Sequence, residues 1–150
     1  VWNTMDGHCE SVDYLTDFIG DRLQSVYNPT NGCFTDIFEC LLGLLGIRTP
    51  PVRELHTTWD NFFENAPSDA VYLQICHSQG AIHVKNALED YPEELRKRIV
   101  VLAIAPATYI DPDLCKQVKH YRAEWYRDPI PRINFWSEKK ARTTIHTLKS

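Results

Sequence analysis

Residues 71–105 constrain the fold more than any other stretch of this chain. Val71 to Ile75 is an apolar-rich run that leads into Cys76-His77-Ser78-Gln79-Gly80. A helical pattern starts at once, and Ile99 to Ala105 is a continuous apolar run. The order predicts strand, sharp turn, helix and strand, with Ser78 at the turn. An uninterrupted apolar strand such as Ile99–Ala105 is the mark of a parallel sheet buried on both faces.

The rest of the chain agrees with that architecture. A helix is expected from about Cys9 to Leu23, with Val12, Leu15, Phe18 and Ile19 on one face. Leu23 to Tyr27 reads as a short strand, and residues 28–32 carry turn chemistry. A second, greasy helix is expected from Phe34 to Leu45, closed by Gly46. Thr49-Pro50-Pro51 opens a third, with threonine as N-cap. Its Val52, Leu55, Trp59, Phe62 and Phe63 form the cleanest amphipathic stripe in the sequence. Val118 to Trp125 and Thr143 to Leu148 read as further strands, with a short helix between Asn134 and Arg142. Alternating strands and helices predict a single α/β domain: a mostly parallel sheet with helices on both faces.

Composition narrows the function classes. One hundred and fifty residues suit one domain with a real core. A net charge of −4 argues against a nucleic-acid partner. The basic clusters at Arg96–Arg98 and Glu138–Arg142 read as solvated loop or helix ends. The longest apolar run, Cys40 to Ile47, is far short of the roughly 20 residues of a membrane span. The first residues show no basic start and no long apolar region, so no secretory leader is expected there. Five cysteines, an odd count without a C-x-x-C pair, read as free thiols of a reducing compartment such as the cytoplasm. No cofactor or metal motif is present in the sequence.

Ser78 carries the chemistry. Cys76-His77-Ser78-Gln79-Gly80 is a close variant of the G-x-S-x-G elbow, in which a strained turn lifts a serine hydroxyl above the sheet edge. The flanking positions need small residues; Gly80 supplies one, and Cys76 stands where the first glycine would be. The alternative is an ordinary turn with serine as N-cap. Cys76 itself reads as buried rather than nucleophilic. His77 and His83 are expected to pack beside the serine or to face away from it.

His-Ser-Gln-Gly between a strand and a helix resembles the elbow of lipases and esterases of the α/β-hydrolase superfamily. Tyr27-Asn28-Pro29-Thr30-Asn31-Gly32 and Asp36-Ile37-Phe38-Glu39 resemble a family of chlamydial proteins with this type of domain. The resemblance spans nearly the whole chain and implies a domain incomplete at both ends. Asn3-Thr4-Met5 matches an Asn-Gly-Met type loop, with threonine replacing the glycine. It implies that the backbone N–H groups of Met5 and Gln79 hold an oxyanion.

A serine nucleophile needs a histidine base, and the histidine needs a carboxylate. In hydrolase order, serine comes first, then acid, then histidine. Asp128 follows the strand-like Val118–Trp125 segment and precedes Pro129-Ile130-Pro131. The resemblance to lipases, whose acid lies in a loop after a late strand, implies that it is the acid. The alternative is a turn-forming aspartate, and Asp111 and Asp113 are runners-up. His146 is the only histidine after Asp128. It falls within a strand-like segment, whereas the family histidine sits in the loop beyond that strand.

Two function classes therefore stand. One is a serine hydrolase of small-molecule or lipid esters or acyl thioesters. The other is a non-catalytic remnant of such a domain serving as an interaction module. A histidine within reach of Ser78 separates the two. A membrane-surface role for the 34–45 helix lacks the Lys/Arg-rich face such helices carry.

Overall fold

The computed structural model describes residues 5–20, 23, 25, 50–123 and 142–148. The segments expected at 28–32 and 34–45, that at 23–27 apart from residues 23 and 25, the 134–142 helix up to residue 141, and Asp128 lie outside the described residues. The helices are α1 (Met5–Ile19), α2 (Pro50–Asn65), α3 (Gly80–Glu89) and α4 (Glu93–Arg96). The strands are β1 (Tyr72–His77), β2 (Ile99–Ile104), β3 (Gln117–Ala123) and β4 (Ile145–Leu148). Short 3₁₀ turns at Pro112–Leu114 and Arg142–Thr144 precede β3 and β4.

The four strands form one sheet in the order β1-β2-β3-β4, and every pair is parallel. The fold is α/β, and the crossover from β1 to β2 runs through α3 and α4. All strands therefore end on the same sheet edge, the edge where β1 turns at Ser78.

One sheet face carries the core. Cys76, Ile99, Val101, Ala103 and Val118 are buried there, against Val52, Leu55 and Trp59 of α2 and Ala81, Val84, Ala87 and Leu88 of α3. Trp59 is fully buried, and its Nε1 donates to Gln74 Oε1 at 3.0 Å. A large apolar ring thus enters the core with its one polar atom satisfied. Phe62, expected on the same buried face, is only half-buried and packs edge-on against Tyr72 and Phe63. The other sheet face is less covered. Leu73 is 51 % exposed and Ile104 36 %, so the continuous apolar run of β2 is sealed on one side only.

Three local expectations need correction. α1 starts at Met5 and stops at Ile19, four residues short of Leu23. Gly20 stops it: at φ +73° its N–H returns to Thr16 O at 2.8 Å, a left-handed helix end. Arg98 is not a solvated end. Its guanidinium donates to the Ala70 and Pro67 carbonyls and lies 4.6 Å over the Phe63 ring, tying the approach to β1 onto the start of β2. Arg96 is likewise half-buried, donating to Leu88 O at 3.3 Å. No helix among the described residues is long and apolar enough to cross a membrane.

Candidate active site

β1 ends at His77, and α3 begins at Gly80. Only Ser78 and Gln79 turn the chain from strand to helix. So tight a reversal forces Ser78 to φ +50°, a left-handed conformation that costs an L-residue about 1–2 kcal/mol. Such strain at a single polar residue is a mark of functional turns. The helix N-cap is Gln79, without a side-chain capping bond. Ser78 is therefore not an N-cap. It is half-buried, and its hydroxyl has no hydrogen-bond partner among the described residues.

The backbone around Ser78 is held on three sides. Its N–H donates to Ile104 O at 3.1 Å, and its C=O accepts from Ala81 N at 3.2 Å and Ala107 N at 2.9 Å. The Ser78–Gln79 peptide is trans, so the Gln79 N–H points opposite to that anchored carbonyl. No backbone acceptor among the described residues takes the N–H of Gln79 or of Gly80. Both are first-turn donors of a ten-residue helix, where the partial charge is positive. The Gln79 side chain adds a further unpaired donor, Nε2, which is buried.

The small residues flanking the serine meet one another. A Cβ built on Gly80 lies 3.6 Å from Cys76 Cβ, an ordinary contact. Glycine is thus compatible with the turn rather than strictly required by crowding. Cys76 is buried, and burial pushes its thiol up to about 12, which rules it out as a thiolate nucleophile near neutral pH.

The other predicted residues fall as follows. Met5 opens α1 and is 54 % exposed; no bond between it and the Ser78 turn is present among the described residues. His83 is buried on α3, and burial lowers its pKa. His77 is exposed, on the opposite sheet face from Cys76. Asp113 sits where Lys97, just before β2, donates to its carbonyl at 2.7 Å, and the Asp111 carboxylate accepts from Asp113 N–H at 3.1 Å. Both acids therefore lie toward the N-terminal edge of the sheet, a strand length from Ser78, and cannot serve it. Asp128 lies outside the described residues; β3, which precedes it, ends on the Ser78 edge.

His146 is on β4, exposed, with its ring stacked on Tyr121 at 5.2 Å. The register places His77, Ile104, Tyr121 and His146 in one row across the four strands. At the usual spacing of about 4.8 Å between strands, β4 lies about 14 Å from β1. The structure thus does not bring His146 to Ser78.

A histidine without a role in the sequence-based expectations is held at both ring nitrogens. His120 is fully buried on β3. Its Nε2 accepts from the Ile110 N–H at 3.0 Å, so its proton sits on Nδ1, facing Thr144 Oγ1 at 2.9 Å. Burial, with a smaller contribution from His146, lowers its pKa to about 4. It is a neutral pin joining the 105–111 segment, β3 and the turn before β4. The sequence signal for it was the alternation Val118-Lys119-His120, which puts His120 on the buried face.

A strained serine at the C-terminal edge of an all-parallel sheet, beside a helix N-terminus, defines the class of site. The chain belongs to the family described as "Protein of unknown function (DUF687)", whose model matches residues 2–124. No curated protein and no solved structure matches it.

Proposed function

We propose that this domain is a serine-dependent hydrolase of carboxylic esters or acyl thioesters, with Ser78 as nucleophile. The observation that carries the reading is the Ser78 turn. Its positive φ, and a hydroxyl and a Gln79 N–H that have no hydrogen-bond partner among the described residues, occur together at one strand end. In the proposed reaction, Ser78 Oγ attacks the carbonyl carbon and gives its proton to a histidine. The Gln79 N–H, joined by the Met5 N–H, holds the developing oxyanion. The leaving alcohol or thiol takes the proton from the histidine, and water then releases the acid by the same route in reverse. Asp128 orients the histidine. The superfamily resemblance of the elbow supports the same roles.

One observation favours the alternative of a non-catalytic interaction module: His146 stacks on Tyr121, away from Ser78. Labelling with a fluorophosphonate probe separates the two. A labelled Ser78 in this chain supports the hydrolase with its base inside residues 1–150. Labelling only in a form extended beyond Ser150 places the base there. Absence of labelling in both forms overturns the hydrolase.

A further inference from the structure

Ser78 is one of two non-glycine residues with positive φ among the described residues. The other is Ala105, at φ +43°. The two stand side by side. β1 and β2 pair His77 with Ile104, so the next residues in register are Ser78 and Ala105.

The ladder explains why Ala105 is distorted. At the start of the pair, Tyr72 stands opposite Ile99 and its N–H donates to Arg98 O, one residue before its partner. Ser78 repeats this pattern, donating to Ile104 O. The complementary bond of a parallel ladder would run from the N–H of residue 106 to the Ser78 carbonyl. Residue 106 is proline and has no N–H. The left-handed turn at Ala105 shifts the chain by one residue, and the Ala107 N–H takes the vacant place at 2.9 Å. The turn is held in its own right: Ala105 N–H donates to Tyr121 O at 2.7 Å, and Pro106 is fully buried.

We infer that Ala105-Pro106-Ala107 is a positioning turn: through the Ala107 N–H it fixes the Ser78 carbonyl and so aims the Gln79 N–H and the Ser78 side chain. This rests on the hydrolase reading for its catalytic consequence, though not for its geometry. Without the Ala107 bond, the Ser78 carbonyl keeps only the longer 3.2 Å contact from Ala81. The peptide is then free to rotate, and the oxyanion donor rotates with it.

The test replaces Ala107 with lactic acid, which exchanges its N–H for an ester oxygen and leaves the methyl group in place. Two readouts are taken: the rate of fluorophosphonate labelling, and the Ser78 HN–Hα coupling by NMR, which reports φ. The inference expects the rate to fall on the order of tenfold to a hundredfold. An ester form that labels as fast as the unaltered chain overturns the inference. If neither the unaltered chain nor a form extended beyond Ser150 labels, the hydrolase reading fails and the coupling alone decides. A Ser78 that leaves the left-handed region in the ester form then supports the positioning turn, and one that stays there overturns it.

Discussion

Ser78 and His120 are both polar residues on neighbouring parts of one parallel sheet, and they are treated in opposite ways. His120 is fully buried with both ring nitrogens engaged, one by a backbone N–H and one by a threonine hydroxyl. Ser78 is strained and half-buried, and its hydroxyl has no partner among the described residues. A satisfied buried polar group fixes structure. A strained turn is kept at a cost to stability that the core elsewhere offsets. On the proposed reading His120 belongs to the scaffold and Ser78 to the chemistry, and each prediction tests one side of that contrast.

The largest effect is expected at Ser78. Ser78→Ala should remove fluorophosphonate labelling and lower ester hydrolysis by about 10³-fold or more, as loss of a nucleophile does. Its melting temperature should stay close to that of the unaltered chain, because the hydroxyl makes no described bond. A large drop in melting temperature would put Ser78 on the scaffold side of the comparison.

The scaffold itself should break at Trp59. Removing this fully buried ring opens a cavity between α2 and the sheet and orphans Gln74 Oε1. Trp59→Ala should cost about 3–5 kcal/mol in denaturant unfolding. A loss below 1 kcal/mol would show that α2 is not a working part of the core.

His120 makes the scaffold sensitive to acid. Its pKa falls from 6.5 unfolded to about 4 folded, so the unfolded chain binds the proton more readily. Its contribution is therefore fully present above pH 6.5 and is lost as pH falls toward 4. The loss amounts to about 3 kcal/mol once both states are protonated. Urea midpoints measured from pH 7 to pH 4 should fall along that window, and His120→Leu should flatten the fall. The same variant leaves the Ile110 N–H buried and unpaired, which lowers stability at pH 7 by about 1–3 kcal/mol. An unchanged pH profile in His120→Leu would show that other groups govern acid sensitivity.

What the sequence displayed and what it hid follow the same division. Strand, elbow, helix and strand from 71 to 105 were legible because apolar runs and a single glycine fix them. The buried stripe of α2 was legible for the same reason, down to Trp59. The end of α1 was also written in the sequence, at Gly20, although the apolar pattern ran past it. The Ala105 turn was not legible from propensity, since nothing disfavours a strand through Ala105; only the missing N–H of Pro106, set against the register, accounts for it. The role of Arg98 was hidden because a charged triplet says nothing of which carbonyls lie nearby. The distance between His146 and Ser78 depends on strand order, which chain order alone does not fix.

The smallest effect bears most directly on strain. Glycine adopts positive φ freely, whereas alanine carries the same penalty there as serine. Ser78→Gly and Ser78→Ala both remove the nucleophile, so neither should label. They should differ in stability, with the glycine form more stable by about 0.5–1 kcal/mol after its larger unfolded-state entropy is subtracted. Gly20 provides the reverse control. It sits at φ +73° with no atom within 4 Å of a built Cβ, so Gly20→Ala adds backbone strain and no collision. It should destabilise by about 1 kcal/mol in the same thermal or urea measurement. If Gly20→Ala destabilises while the two Ser78 variants unfold together, the Ser78 backbone is relaxed in solution. The contrast between a strained serine and a satisfied histidine then reduces to a difference in hydrogen bonding alone.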